Sequence, residues 1–268
     1  MGFVIFISSL LLSIIILFPL AKKFEIRKKL SCFGILVLGC LVGFSTILVW
    51  AIHELSIRTI FLFELGFLIL FTGIIGLYRF YRDPERIPPN RENIILAPAD
   101  GFIKYIKKLT VHSSQSTDFI DALDIGQSWL IGITMTYLDV HINRSPIAGK
   151  ILLVKHISGK FLSLKKKEAS GENKRVILII DNGNFKIGLR LIASRMVRKI
   201  LVWINVNESV ELGKRIGKIV FGSQTDIIIP ELPELKINVH EGKQVYAGLT
   251  VLAEYRKSEK SEARNSKP

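Results

Sequence analysis

The sequence predicts an α-helical membrane anchor of three transmembrane helices followed by a mainly β (α+β) domain, and three observations carry that prediction. The apolar weight of the 268 residues sits at the front: residues 1–78 hold six basic and three acidic groups, whereas residues 79–268 hold 31 and 20. Three runs there reach the ~20 residues needed to cross about 30 Å of hydrocarbon. Of these, 2–21 and 31–52 carry no charge and 59–78 carries only Glu64. From residue 100 onward the pattern changes to short runs rich in Ile, Val, Leu and Lys, broken by Gly, Pro and Asp-Asn-Gly, which is the punctuation of strands and turns.

The first run lacks a basic leading segment and a small-residue cleavage site, and two more spans follow it, so it reads as a span rather than a cleaved signal. Lys22, Lys23, Arg27, Lys28 and Lys29 lie between the first two runs, and Arg79, Arg82 and Arg86 follow the third. Basic loops stay on the cytoplasmic side. Runs two and three therefore form a hairpin with a short turn at 53–58 outside, and everything after Tyr78 is expected in the cytoplasm. Gly39 and Gly43 have the spacing that lets helices approach closely. Glycine is common in membrane helices, however, and the plain compositional reading is preferred. Glu64 is costly in lipid unless it is paired, lies near the interface or faces other helices.

Strands are expected around 102–111, 129–138, 150–156, 175–180, 186–191, 199–206, 218–221, 226–229 and 245–255. Ala193, Met196 and Val197 fall at helical spacing, so a short helix is expected over 191–199. Residues 113–127 are polar or acidic and read as a loop. The Lys-, Glu- and Ser-rich tail reads as disordered. The expected organisation is thus 1–78 anchor, 79–256 β-rich domain and 257–268 tail. Cys32 and Cys40 both lie in an apolar stretch, which rules out a disulfide-stapled fold and a four-cysteine zinc site. The net charge of +14 suits an anionic membrane surface or nucleic acid. No nucleic-acid reader motif is recognisable, so no nucleic-acid partner is expected. A seven-residue echo links Ala97-Pro98-Ala99-Asp100-Gly101-Phe102-Ile103 to Ser145-Pro146-Ile147-Ala148-Gly149-Lys150-Ile151 and points to two units of similar build.

Several residues are able to do chemistry. Asp139, His141 and Asn143 alternate along an extended segment and so share a face. A histidine there can exchange protons near neutral pH, although a packed histidine is the commoner case. Asp100 before Gly101 also suits a plain turn, as does Ser223 after Gly222. Arg82 and Arg86, beside the last span, and Arg144 are candidate contacts for lipid phosphate; a topological anchor is the plainer reading of the first two. The chain has no Gly-x-Ser-x-Gly elbow, Walker loop, dinucleotide fingerprint or His-Glu-x-x-His, so the common hydrolase, nucleotide-binding and zinc-protease classes have no support.

Five stretches in order resemble the phosphatidylserine decarboxylase family, most closely its short bacterial and archaeal branch. They are Phe80 to Arg86, Ala97 to Gly101, Asp139 to Pro146, Ile192 to Arg195 and Gly213 to Ser223. The resemblance implies a self-processing enzyme cut between Gly222 and Ser223. The Ser223 hydroxyl would attack the preceding carbonyl, the ester would eliminate, and the new amino terminus would hydrolyse to a pyruvoyl group. The products are a β chain ending at Gly222 and a 46-residue α chain starting from Ser223. The implied reaction converts phosphatidylserine or archaetidylserine to the ethanolamine phospholipid plus carbon dioxide, with the covalent pyruvoyl as electron sink and no metal.

By the same resemblance Asp100 matches an aspartate of self-cleavage and His141 a histidine of the decarboxylation cycle. The longer branch places a second histidine where this chain has Arg144, and an arginine cannot act as the base. Either His141 serves both steps or Asp100 and a water activate Ser223. Gln224, where short relatives usually have arginine, and Lys174, within Asn173-Lys174-Arg175, depart from the family pattern. The implied partners are the membrane, the serine phospholipid, the chain's own two fragments and a second copy in a homo-oligomer. The rival reading is a biotinyl- or lipoyl-like carrier or scaffold, because Val239 to Ala253 resembles the closing hairpin of those domains.

Overall fold

In a computed structural model, which describes residues 1–23, 28–53, 55–109, 126–136, 138–166, 168–194, 199–219 and 223–256, each apolar run forms a helix: α1 (Gly2–Lys23), α2 (Lys28–His53) and α3 (Ile57–Tyr81). All three are long and apolar enough to cross a membrane. Phe3, Phe33, Phe44 and Leu62 point outward, as helices solvated by lipid require, while Leu17, Ile35, Leu38, Val42 and Leu68 pack inward. The turn before α3 is tighter than expected. Helix α2 continues through His53, and Ser56 caps α3 by accepting the Thr59 N–H.

Two polar features of the anchor are explained by packing. The Glu64 carboxylate is buried and accepts the hydroxyls of Ser8 and Ser9 on α1, at 2.5 and 2.8 Å. A Cβ on Gly39 would lie 3.2 Å from Leu10 Cα, and one on Gly43 3.4 Å from Phe6 Cα. The paired glycines are therefore a close α1–α2 contact, which corrects the compositional reading given above.

The chain divides into two compact units, Met1–Arg82 with Thr136–Leu138, and Asp83–Met135 with Asp139–Pro268. The second holds fourteen strands among its described residues. They are β1 (Ile94–Leu96), β2 (Gly101–Leu109), β3 (Ser128–Thr134), β4 (Ile142–Arg144), β5 (Gly149–Ile157), β6 (Arg175–Asp181), β7 (Lys186–Ile192), β8 (Ile200–Val202), β9 (Ser209–Val210), β10 (Arg215–Ile219), β11 (Gln224–Pro230), β12 (Lys236–Ile237), β13 (Gln244–Val245) and β14 (Val251–Glu254). An eight-stranded sheet in the order β13-β2-β3-β11-β7-β6-β5-β9 is accompanied by two three-stranded sheets, β1-β14-β12 and β4-β10-β8. Ile131, Ile133, Leu178, Leu189, Leu191 and Ile227 line one face of the large sheet and build the main core. Leu130, Ile177, Ile179 and Ile228 line the other.

This topology is a duplication with one copy inserted in the other. Strands β4 to β10 form one continuous copy: β4 and β8 flank β10, β9 pairs with β5, β5 with β6 and β6 with β7. The outer copy repeats every pairing with β1, β2, β3, β11, β12, β13 and β14, but its chain is interrupted between β3 and β11 by the whole inner copy. One pairing, β11 with β7, joins the copies through the large sheet. The seven-residue echo marks matching turns in the two copies, and these turns bond each other reciprocally: Leu96 N–H donates to Pro146 O and Arg144 N–H to Pro98 O, each at 2.9 Å. Gly101 and Gly149 follow those turns, and their Cβ atoms would lie 2.1 Å from Thr134 O and 2.4 Å from Asp181 O. Only glycine lets the crossing backbones meet so closely.

Other expectations change. The helix expected over 191–199 gives way to strand β7 through Ile192, because Leu191 and Ile192 pair with Val176 and Arg175; Met196 and Val197 lie outside the described residues. The run expected over 245–255 is two strands in two sheets, β13 paired with β2 and β14 with β1, separated by a turn in which Gly248 has φ +72°. It is therefore not the carrier-type hairpin. The loop expectation for 113–127 falls almost entirely, and the tail expectation wholly, outside the described residues. Gly149→Ala should lower the stability of the full-length protein by about 1–3 kcal/mol, read by thermal unfolding in detergent. Gly171→Ala, where a Cβ meets nothing within 4 Å, is the matched control and should change it little.

Candidate active site

Pairing register brings the Ser223 and Asp100 segments to one end of the large sheet, while His141 precedes β4 in a small sheet. Phe102, Thr134 and Gln224 form one rung across β2, β3 and β11. Met135 and Ser223, which adjoin that rung in sequence, and Asp100, two residues before Phe102, therefore lie at that end. The Ser223 carbonyl accepts the Met135 N–H at 2.9 Å, and the Ser223 hydroxyl lies 3.5 Å from Met135 Sδ. Asn143 on β4 ties the second motif to the same place, because its Nδ2 donates to Thr225 Oγ1 at 3.0 Å and to Pro98 O at 3.4 Å. Ser223, His141, Asn143 and Thr225 are all fully buried. Gly222 lies outside the described residues, as does Arg195.

His141 Nδ1 is 2.8 Å from Asp139 O. A carbonyl only accepts, so Nδ1 carries the proton and Nε2 is the basic nitrogen of the neutral ring. Asp100 is held differently. Arg86 meets it with both terminal nitrogens, Nη1 to Oδ1 at 2.5 Å and Nη2 to Oδ2 at 2.8 Å, and the Ala247 N–H donates to Oδ1 at 2.8 Å. The pair is almost entirely shielded from solvent, with side-chain exposures of 7% and 3%. Such an arrangement fixes a carboxylate in place as a bidentate clamp.

The segment after α3 acts as a strap across this unit. Asp83 and Glu85 hold Arg215 at 2.8 and 2.6 Å, and Pro84 O accepts from Arg144 Nη2 at 3.0 Å. Arg144 Nη1 donates to Gly213 O at 3.0 Å. Burial, followed by the charges of Arg215 and Arg86, draws the Arg144 guanidinium below its usual range, while Asp83 and Glu85 oppose that shift. Arg86 and Arg144, which the sequence offered to lipid phosphate, thus have protein acceptors at Asp100, Ala247, Gly213 and Pro84. Arg82 Nη2 donates to Leu138 O at 3.1 Å.

Sequence reasoning missed a second polar group on the opposite face of β11. Gln224 and Asp226 alternate with Ser223 and Thr225 and so point the other way. Asp226 accepts Tyr105 Oη at 2.8 Å and Arg190 Nη2 at 2.6 Å, and Gln224 Nε2 donates to both Tyr105 Oη and Asp226 Oδ1. Lys104 Nζ joins the group through Gln224 Oε1 at 2.9 Å and Leu164 O at 2.7 Å. Burial and the Asp226 charge both raise the Tyr105 phenol, keeping it a proton donor. Burial lowers the Lys104 ammonium against the pull of Asp226. No spacing in the chain signalled this group, since Tyr105 and Asp226 are 121 residues apart.

Arg86→Met should destabilise the full-length protein by about 3–5 kcal/mol, because it strands a buried carboxylate. Arg91→Met, which breaks the solvent-exposed pair with Glu254, should cost at most about 1 kcal/mol. Denaturant unfolding of the two variants checks the contrast.

Residues 76–253 match the family model described as phosphatidylserine decarboxylase. A protein of Methanocaldococcus jannaschii is 39% identical over 183 residues, 65% of this chain and 87% of the relative. One of Methanothermobacter thermautotrophicus is 34% identical over 197 residues, 72% of this chain and 86% of the relative. Both bear the name "Putative archaetidylserine decarboxylase proenzyme". The match covers the whole strap, both copies of the duplicated fold and Ser223, and with it the chain belongs to the phosphatidylserine decarboxylase family.

Proposed function

We propose that the protein is a self-processing decarboxylase that converts a serine phospholipid into the ethanolamine phospholipid plus carbon dioxide. The observation that carries this reading is the position of Ser223, fully buried at the head of a central strand whose Thr225 is bonded by Asn143, which also bonds the Pro98 turn. The proposed cut lies between Gly222 and Ser223. The Ser223 hydroxyl attacks the carbonyl of residue 222, elimination frees the carboxylate of the large chain, and hydrolysis with loss of ammonia turns the new end into a pyruvoyl group. That group supplies the electron sink for loss of carbon dioxide from the serine head group.

The chain's own residues fit those needs. Pairing on both edges of β11 holds the head of the strand in one geometry. The Met135 N–H is aimed at the Ser223 carbonyl oxygen, where it would stabilise negative charge collecting beside the reacting carbon. We assign His141 as the group that moves protons, with Nε2 as the working nitrogen. What favours it over Asp100 as the base for self-cleavage is that both Asp100 oxygens already accept N–H groups. In this reading Asp100 orders the Ala247 turn against its own. The anionic lipid surface suits a segment of net charge +11. The basic loop and the arginines after α3 favour the cytoplasmic leaflet of the cell membrane.

Purified protein should run as two chains on a denaturing gel, and intact mass should give a small fragment beginning at residue 223 with a blocked amino terminus. Ser223→Ala should remain one chain of about 30 kDa and be inactive; activity in that variant refutes the assignment. His141→Ala should lose turnover by at least about a hundredfold, read as ethanolamine lipid formed from phosphatidylserine and from archaetidylserine in detergent micelles. A near-normal rate with both lipids removes His141 from the mechanism.

A further inference from the structure

A strand whose chain is cut one residue ahead of its start loses the covalent restraint that held its end, and free chain ends fray. The large sheet carries a device suited to that problem. Tyr105, Gly132, Asp226 and Arg190 form a single rung across β2, β3, β11 and β7. Gly132 leaves the space that the Tyr105 ring fills, since a Cβ there would lie 2.4 Å from Tyr105 Cζ. The ring's hydroxyl thereby reaches across β3 to Asp226. From the other edge Arg190 Nε and Nη2 both donate to Asp226 Oδ2, at 3.1 and 2.6 Å. Gln224, the first residue after Ser223, is fastened by Lys104, Tyr105 and Asp226 together.

Resting on the decarboxylase reading above, we propose that Tyr105, Arg190, Asp226, Gln224 and Lys104 form a clamp that positions the new end of β11 after self-cleavage. Gln224 and Asp226 belong to the small chain, and the other three belong to the large one, from the outer copy on one side and the inner copy on the other. None touches the Ser223 hydroxyl, so these are positioning residues. Two residues further along the same face, Ile228 fills its site with hydrocarbon. Apolar residues would serve for stability at 224 and 226 also, because a buried ion pair rarely outperforms a well-packed apolar pair. What directional bonds add is a fixed location for the first residue of the strand.

The test uses the full-length protein in detergent, with Tyr105→Phe and Asp226→Asn each made in the wild-type chain and in the uncut Ser223→Ala chain. Amide hydrogen exchange at 224–227, extent of cutting, and kcat and KM per processed chain are measured. In processed chains each variant should lose protection at these amides at least tenfold, and kcat should fall roughly tenfold to a hundredfold with KM within about twofold. In the uncut background the loss of protection should be much smaller, because the covalent link replaces the clamp. Equal losses in cut and uncut chains, or unchanged protection in the cut chain, overturn the proposal. If Asp226→Asn fails to accumulate, Tyr105→Phe, which removes one hydroxyl, decides alone. A wild-type chain that never cuts refutes the decarboxylase reading itself, whereas a wild type that cuts beside indifferent variants refutes only the clamp.

Discussion

Strand β11 has to be hydrogen-bonded along both edges, and the arrangement of the second unit follows from that requirement. One edge belongs to β3 of its own copy and the other to β7 of the inserted copy. Neither copy alone supplies both neighbours. The strand's head also sits where the chain returns from one of the small sheets, since β10 ends at Ile219 and β11 begins at Gln224. The proposed cut therefore falls at the one place where the inserted copy hands the chain back to the outer copy. A break there leaves every ladder bond of β11 intact.

The two faces of β11 have different duties. On the main-core face, polar groups come from three places: Thr225 on β11 with Ser223 just before it, Asn143 on β4 and the Pro98 turn before β2. On the other face Asp226 is the common acceptor of Tyr105, Arg190 and Gln224. Buried polar atoms without partners are expensive, and the sheet meets that cost at Asp226 with donors from β2, reaching across β3, from β7 and from β11 itself. The Arg86 and Asp100 pair solves the same problem at the strap, so two buried carboxylates are each met by an arginine brought from elsewhere in the chain.

The anchor was legible because length and the absence of charge are direct consequences of hydrocarbon thickness. The longer strands were legible because runs of Ile, Val and Leu suit a sheet buried on both faces. Strands β1, β9 and β12, of two or three residues, carry too little pattern to be seen. The run at 245–255 concealed a change of sheet because Val245 and Leu252 are equally buried on either side of the turn. Asp100, His141 and Ser223 were singled out through motif resemblance; in the structure the Ser223 carbonyl meets Met135, and Asn143, two residues after His141, bonds both Thr225 and the Pro98 turn that precedes Asp100. Arg86 was read from its nearness to the last span, whereas its partner lies fourteen residues further on. Lys104, Tyr105, Arg190 and Asp226 stood in strand runs where alternation gives the face but not the partner across the sheet.

The echo at residues 97–103 and 145–151 was the visible trace of the duplication, and the nested arrangement has a consequence of its own. Thr134 and Gln224, the residues that bracket the inserted copy, are direct register partners. In the inserted copy the same junction, between β6 and β7, is closed by the four residues 182–185. Excising the inner half would therefore leave two stumps one hairpin apart, and the outer half is topologically complete without it. The scissile region occupies the site of a simple reversal in its sibling, so the architecture is that of a doubled ancestor in which one reversal has been opened to admit a second copy.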